Sequence, residues 1–247
     1  MNGLEEGAEG IRWDRAALEA AGRIRLGHMD WSFHNIARSY LENADSVLEL
    51  GVGDGRGMAL LAPLPPRAGA TERNPQVHGE AKGLLGPLGV KVYLVKDPRK
   101  LPIEDQTYSL VLTRKEPYRE KEIRRILRPG GCFIAQQRGP LHFRELEHLL
   151  EGKVAPNLWT LSRALSQMKE QGFDVMMARE SVAKTRFYDM EALEAYLREE
   201  PELLPGLDLE RHAAAWKGLH AFMEAQGFFD VSCHHFILVG MKSYAHQ

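Results

Sequence analysis

Seven short apolar or β-branched runs, spaced by stretches long enough for a helix, limit this chain more than anything else in it. Residues 46–50 (SVLEL), 68–72 (AGATE), 90–97 (VKVYLVKD), 107–113 (TYSLVLT) and 131–137 (GCFIAQQ) are bounded by Gly, Pro or Asp and read as strands. Two more lie near 174–182 and 234–242. The stretch PYREKEIRRIL, 117–127, reads as a helix with Pro117 at its first position and a stop at RPGG; LSRALSQMKEQG, 161–172, ends on a glycine in the same way. Strands and helices alternating at this spacing pair in parallel through right-handed crossovers, with helices on both faces. The expected fold is a doubly wound α/β sheet of seven mostly parallel strands, with ligands bound beyond the carboxyl ends of the strands.

Two helical excesses flank that core. Residues 1–43 read as an N-terminal helical cap, built from IRWDRAALEAAGRI and WSFHNIARSYLEN; residues 187–228 read as a helical lid insertion, broken at Pro205 and Gly206. The α/β core is then 44–186, and 229–247 supplies the last strand. Peripheral packing of the two helical segments is the alternative to a lid over the carboxyl edge.

Composition removes several classes of function. With 247 residues, 44% of them hydrophobic, the chain can bury a sizeable core without staples. Cys132 and Cys233 sit in strand-like surroundings without CxxC spacing and read as core thiols. No apolar run approaches the roughly 18 residues of a membrane span, and MNGLEEGAEG has neither the basic region nor the apolar core of a leader, so a cytoplasmic protein is expected. A net charge of -2 argues against sequence-indifferent nucleic-acid binding. His234 and His235 are neighbours on a strand and point to opposite faces, and no HExxH motif occurs, so no metal is assigned.

Directly after the first strand, VLELGVGDGRG sets Gly51, Gly53, Gly55 and Gly57 at alternate positions. The dinucleotide fingerprint needs a glycine three positions after the second, but that position holds Arg56 counting from Gly51 and Met58 counting from Gly53. What stands there is an acid followed by Gly-x-Gly-x-Gly, and about 20 residues on comes Glu72, placed to accept both hydroxyls of a ribose. Gly57, beyond the triplet, reads as the least constrained of the four, needed only to start the next helix.

The stretch resembles the first motif of the class I S-adenosylmethionine-dependent methyltransferases, of the type-11 kind. That resemblance implies a Rossmann-like core binding S-adenosyl-L-methionine, with Glu49, Gly51, Val52, Gly53, Asp54 and Gly55 turning under the cofactor and Glu72 with Arg73 at its ribose. VKDPRKLPIED is similar to the family stretch whose Asp contacts adenine; Asp97 matches, while Pro98 and Ile103 depart, and Pro98 offers no backbone donor. YSLVLTR and ILRPGGCFIAQQ resemble the fourth strand, the turn and the fifth strand, with Ser109 where most members carry Asp and Arg114 beside the cofactor. Together these motifs cover residues 45–140. TRFYDMEALEAYL and HHFILVGMK look like a bacterial branch of unassigned substrate, in which an N-terminal PW is similar to DW here.

Such an enzyme transfers a methyl group to an oxygen, nitrogen, carbon or sulfur nucleophile. Candidates for contacting the acceptor are Trp31, His34, Lys115, Glu116, Gln137, Arg186 and Tyr188, with Arg114 a further candidate base; no catalytic residue is singled out. TRKEPY after the fourth strand lacks the Asn/Asp-Pro-Pro-aromatic pattern of exocyclic-amine methylation. A small molecule is the expected acceptor. RNA is an alternative, since RKEPYREKEIRRILR is locally basic, although an i to i+4 pair of Glu120 with Arg124 suits a solvated helix face. A non-catalytic S-adenosylmethionine-binding protein is the other alternative.

Overall fold

A computed structural model describes residues 15–149, 159–200, 203–204 and 211–244. In chain order the elements are α1 (Arg15–Ala20), β1 (Ile24–Arg25), α2 (Phe33–Leu41), β2 (Ser46–Leu50), α3 (Arg56–Ala59), β3 (Arg67–Glu72), α4 (Pro75–Leu85), a 3-10 turn (Gly86–Leu88), β4 (Val90–Leu94), β5 (Tyr108–Arg114), α5 (Glu120–Ile126) and β6 (Leu127–Arg138). There follow α6 (Arg144–Leu149), α7 (Leu161–Glu170), β7 (Phe173–Phe187), α8 (Met190–Glu199), α9 (Ala213–Gln226) and β8 (Phe229–Lys242). The break expected at Pro205 and Gly206 lies outside the described residues, as do residues 11–14 of the first expected helix.

The chain divides into two compact units. The larger comprises Met29–Pro140, Asn157–Val182 and His234–Gln247, so α2 belongs with the central strands. The smaller comprises Met1–His28, Leu141–Pro156 and Ala183–Cys233. β7 and β8 are long enough to contribute to both.

In the larger unit the strand order is β7-β8-β6-β5-β2-β3-β4. β2 through β6 pair in parallel, and β8 returns antiparallel to β6, with Gln137 opposite Phe236. This is the expected mostly parallel α/β sheet. After β2 the chain moves outward through β3 and β4, then crosses back to β5 on the other side, so the topological switch lies between β2 and β5. A crevice at the carboxyl ends of those two strands follows from that reversal.

β2 is buried at every residue, as befits a central parallel strand covered on both faces. On one face Val47, Leu110, Leu112 and Ile134 pack with Phe33 and Ala37 of α2 and Met58 of α3. On the other, Leu48, Val111, Phe133 and Phe236 pack with Ile123 of α5 and Met168 of α7. Side-chain caps start the helices: Ser32 accepts from the N–H of Asn35, Asn74 from that of Gln76 with Pro75 following, and Thr160 from that of Arg163.

Two expectations are corrected. α5 starts at Glu120, behind Arg119, so Pro117 is not its first residue. RPGG is not a turn ahead of the strand but lies within β6: pairing passes from Tyr108 opposite Leu127 to Leu110 opposite Cys132, and the surplus residues bulge out around Gly130, whose φ is 75°.

The smaller unit has its own core, where Leu18, Phe143, Phe187, Leu193, Tyr196 and Val231 pack together. Its β1 pairs antiparallel with the end of β7, Ile24 opposite Phe187. Two residues carry no readable period, which is why this eighth strand was not expected.

Candidate functional site

The turn after β2 is wound through three left-handed glycines, Gly51 at φ 63°, Gly53 at 59° and Gly55 at 89°. A side chain would be strained at each. Glu72, at the end of neighbouring β3, organises the turn: its Oε2 accepts from the N–H of Gly53 at 2.9 Å, and its Oε1 from the N–H groups of Arg73 and Asn74 at 2.7 and 2.9 Å. The Gly51 N–H reaches Thr71 Oγ1 at 3.2 Å. Asp54 accepts from the N–H of Arg56 and Val52 is buried, so these two members of the motif shape the turn. A Cβ built on Gly55 would press within 3.0 Å of Leu85, whereas one on Gly53 would meet no atom within 4 Å.

Glu49 stands on β2 beside the switch point and is only 1% exposed. Its Oε1 accepts from Arg114 Nε at 3.2 Å and Nη2 at 2.9 Å, across the β2–β5 pairing. Its Oε2 is buried without a hydrogen-bond partner among the described residues. The guanidinium of Arg114 lies over the ring of Phe33, 5.3 Å from its centroid, so α2 covers the pair.

Gly57 is what lets this arrangement close. A Cβ there would fall on the Arg114 guanidinium, and the Gly57 carbonyl accepts a hydrogen bond from His34 Nε2 at 3.2 Å. The reading of Gly57 as the least constrained glycine is therefore overturned: spacing shows a residue's own turn, not the arginine that arrives from a strand 57 residues later. Burial, and then the charge of Arg114, hold His34 below the usual histidine range, which keeps the imidazole neutral.

A narrow cleft runs beside the turn, lined by Leu50, Val95, Pro98, Leu101, Pro117 and Tyr118 among others. Arg73 and Glu116 also line it and are paired, Arg73 Nε lying 2.6 Å from Glu116 Oε1. Asp97 is not among the lining residues. Its carboxylate is held by Arg99, with Nε at 2.9 Å from Oδ1 and Nη2 at 3.0 Å from Oδ2, and these bonds lower its pKa.

The acceptor candidates divide between the units. Trp31 Nε1 donates to Gln136 Oε1 at 2.8 Å, and Gln137 Nε2 donates to the Glu116 carbonyl at 3.0 Å, fixing the loop after β5. Gln136 was missed, because only the strand register and the partner indole mark it out. Lys115 stands at φ 70°, its N–H bonded to the Gln136 carbonyl at 2.9 Å. These residues, with His34 and Glu116, belong to the larger unit. Arg186 and Tyr188 belong to the smaller, where Arg186 forms a two-point ion pair with Asp230 at 2.7 and 2.8 Å and Tyr188 is exposed.

The basic stretch 114–128 is built differently from the expected solvated face. Glu120 is buried, its Oε1 unpartnered among the described residues, and burial raises its pKa. Arg124 donates to the Gly172 carbonyl, Arg125 pairs with Glu122 and Asp105, and Arg128 pairs with Asp45. The i to i+4 pair of Glu120 with Arg124 does not form, because α5 turns Glu120 inward.

No protein-family model matches the sequence, and no curated protein sequence matches it. Solved structures do. A protein of Bacillus halodurans C-125, provisionally assigned as a methyltransferase, superposes with a TM-score of 0.60 at 13% identity, covering 85% of this chain and 97% of its own. A geranyl diphosphate methyltransferase in complex with S-adenosylmethionine gives 0.53 at 13% identity, covering 85% and 84%. The chain has the class I methyltransferase fold. That fold is not tied to one reaction: the 4+2 cyclase SpnF superposes at 0.55 with 14% identity, covering 92% and 91%. Within the class I methyltransferase fold, Glu49, the glycine turn and Glu72 sit at the carboxyl ends of β2 and β3, beside the switch point. Among the described residues no helix is long and apolar enough to cross a membrane.

Proposed function

We propose that this protein binds S-adenosylmethionine and transfers its methyl group to a small-molecule acceptor. The observation that carries the reading is the turn at Gly53, anchored through its N–H on Glu72 while its α-carbon faces open space. A turn held this firmly with its α-carbon left open is what a ligand-bearing loop requires. Glu72 would hold one ribose hydroxyl through the single Oε2 lone pair that its three backbone bonds leave unused, and Val95, Pro98, Leu101 and Tyr118 give an apolar wall against which the base would lie.

When bound, the cofactor supplies an activated methyl on sulfur. The chain's part is to hold and to enclose. The rigid turn fixes one reactant, α2 with Trp31 and His34 covers the Glu49–Arg114 side, and positioning of this kind is worth roughly 7–11 kcal/mol of barrier. A non-catalytic reading has one observation in its favour, that Trp31, Gln136 and Gln137 are all engaged in hydrogen bonds within the protein. The RNA reading is weakened by the ion pairs of Arg125 and Arg128.

Methyl-labelled S-adenosylmethionine, incubated with the protein and a cell extract then split into RNA, protein and metabolite fractions, tests the acceptor. Label in the metabolite fraction is expected. Label in RNA alone would replace the small-molecule reading, and label in no fraction, with cofactor binding intact, would leave the non-catalytic one. Glu72→Ala is expected to weaken cofactor binding by about 1–3 kcal/mol, because it removes the ribose acceptor together with the anchor of Gly53. Calorimetric titration showing unchanged affinity would remove Glu72 from the site.

A further inference from the structure

We propose that Arg73 is a built-in occupant of the cofactor's amino-acid seat, and that Glu116 is the carboxylate for which Arg73 and the cofactor's ammonium compete. The inference rests on the cofactor reading above. Glu116 lies directly on the glycine turn: a Cβ built on Gly51 would come within 2.5 Å of its Cβ and 2.7 Å of its Cγ and Oε2. Lys115 at φ 70° and the bond from Gln137 to the Glu116 carbonyl aim the side chain there, so this is a held position. Arg73 follows Glu72, the residue that anchors Gly53, and its guanidinium crosses to Glu116 with Nε at 2.6 Å from Oε1 and Nη2 at 3.4 Å from Oε2.

The pair thus bridges the ends of β3 and β5 over the turn and lines the cleft from both sides. The Glu116 side chain is 16% exposed while that of Arg73 is 50% exposed. The carboxylate is therefore the fixed partner and the guanidinium the one that can swing into water. A ligand cation that reaches Glu116 exchanges one charge-assisted bond for another, so the carboxylate is never left buried and unpaired. The closed pair lowers the apparent affinity by the fraction of molecules in which it is open.

Arg73→Gln should therefore tighten binding of S-adenosylmethionine and S-adenosylhomocysteine by about two- to fivefold, the range an incompletely buried ion pair can impose. Methylthioadenosine, which lacks the amino-acid portion, should bind both proteins alike. Adding Glu116→Gln to Arg73→Gln should weaken S-adenosylhomocysteine but not methylthioadenosine. Titration calorimetry reads all three ligands, with thermal unfolding as the check on folding. Unchanged or weaker binding of S-adenosylhomocysteine to Arg73→Gln overturns the competition and leaves the cofactor reading standing. Absence of binding to the parent protein and to every variant overturns both.

Discussion

Arg114→Leu is expected to cost the fold about 3–5 kcal/mol, because it strips the partner from a carboxylate that is 1% exposed. Leucine ends short of the Phe33 face that the guanidinium covers, so a minor share of the loss is packing. Glu49→Gln in the same chain should recover most of it, since an amide is far cheaper to bury than an unpaired carboxylate. Gly57→Val should give a smaller loss by a different route, its side chain falling on the far end of the Arg114 side chain, which can shift aside. In the Arg114→Leu background that glycine change should cost much less, as the group it displaces is already gone. Urea unfolding of the parent, Arg114→Leu, Gly57→Val and their double variant closes the cycle, with Arg114→Leu/Glu49→Gln as the fifth protein. A cost below about 1 kcal/mol for Arg114→Leu would mean that water reaches Glu49 and that the pair behaves as a surface one.

That network shows where a sequence can be read and where it cannot. β2, β3, β5 and the glycine turn were legible because each is local: a run of five to seven residues, largely small, apolar or β-branched, between breakers, then glycines where φ turns positive. The place of Glu72 at the end of β3 was legible from spacing, since the step from the first turn to the end of the next strand is nearly constant in a βαβ unit. The roles of Gly57, Gln136 and Arg73 were not legible, because each is defined by a partner brought in by another strand or helix: Arg114, Trp31 and Glu116. Glu120 shows the same limit from the other side. Its i to i+4 spacing to Arg124 predicts an exposed pair, but α5 packs that face into the sheet and Arg124 finds the Gly172 carbonyl instead. Asp97, expected at the end of a strand over 90–97, lies beyond the end of β4 at Leu94, and Arg99, two residues on, decides what its carboxylate touches.

Gly53→Val should abolish binding of S-adenosylmethionine while leaving the protein folded, and the contrast with Gly51→Val is what makes the test sharp. Both positions are left-handed, so valine pays a backbone penalty of roughly 1–2 kcal/mol at either one. At Gly53 nothing further is displaced, since no atom lies within 4 Å of the new Cβ. The unfolding midpoint should fall by only about 2–8 °C. At Gly51 the new side chain collides with Glu116 at 2.5 Å, so the loop after β5 must move and the stability loss should be distinctly larger. If the ligand lies over the open α-carbon of Gly53, a branched side chain takes its place and the calorimetric heat disappears. A Gly53→Val protein that still titrates with parent-like affinity would place the ligand elsewhere on the sheet, and the open α-carbon of Gly53 would then reflect only a loop exposed to water.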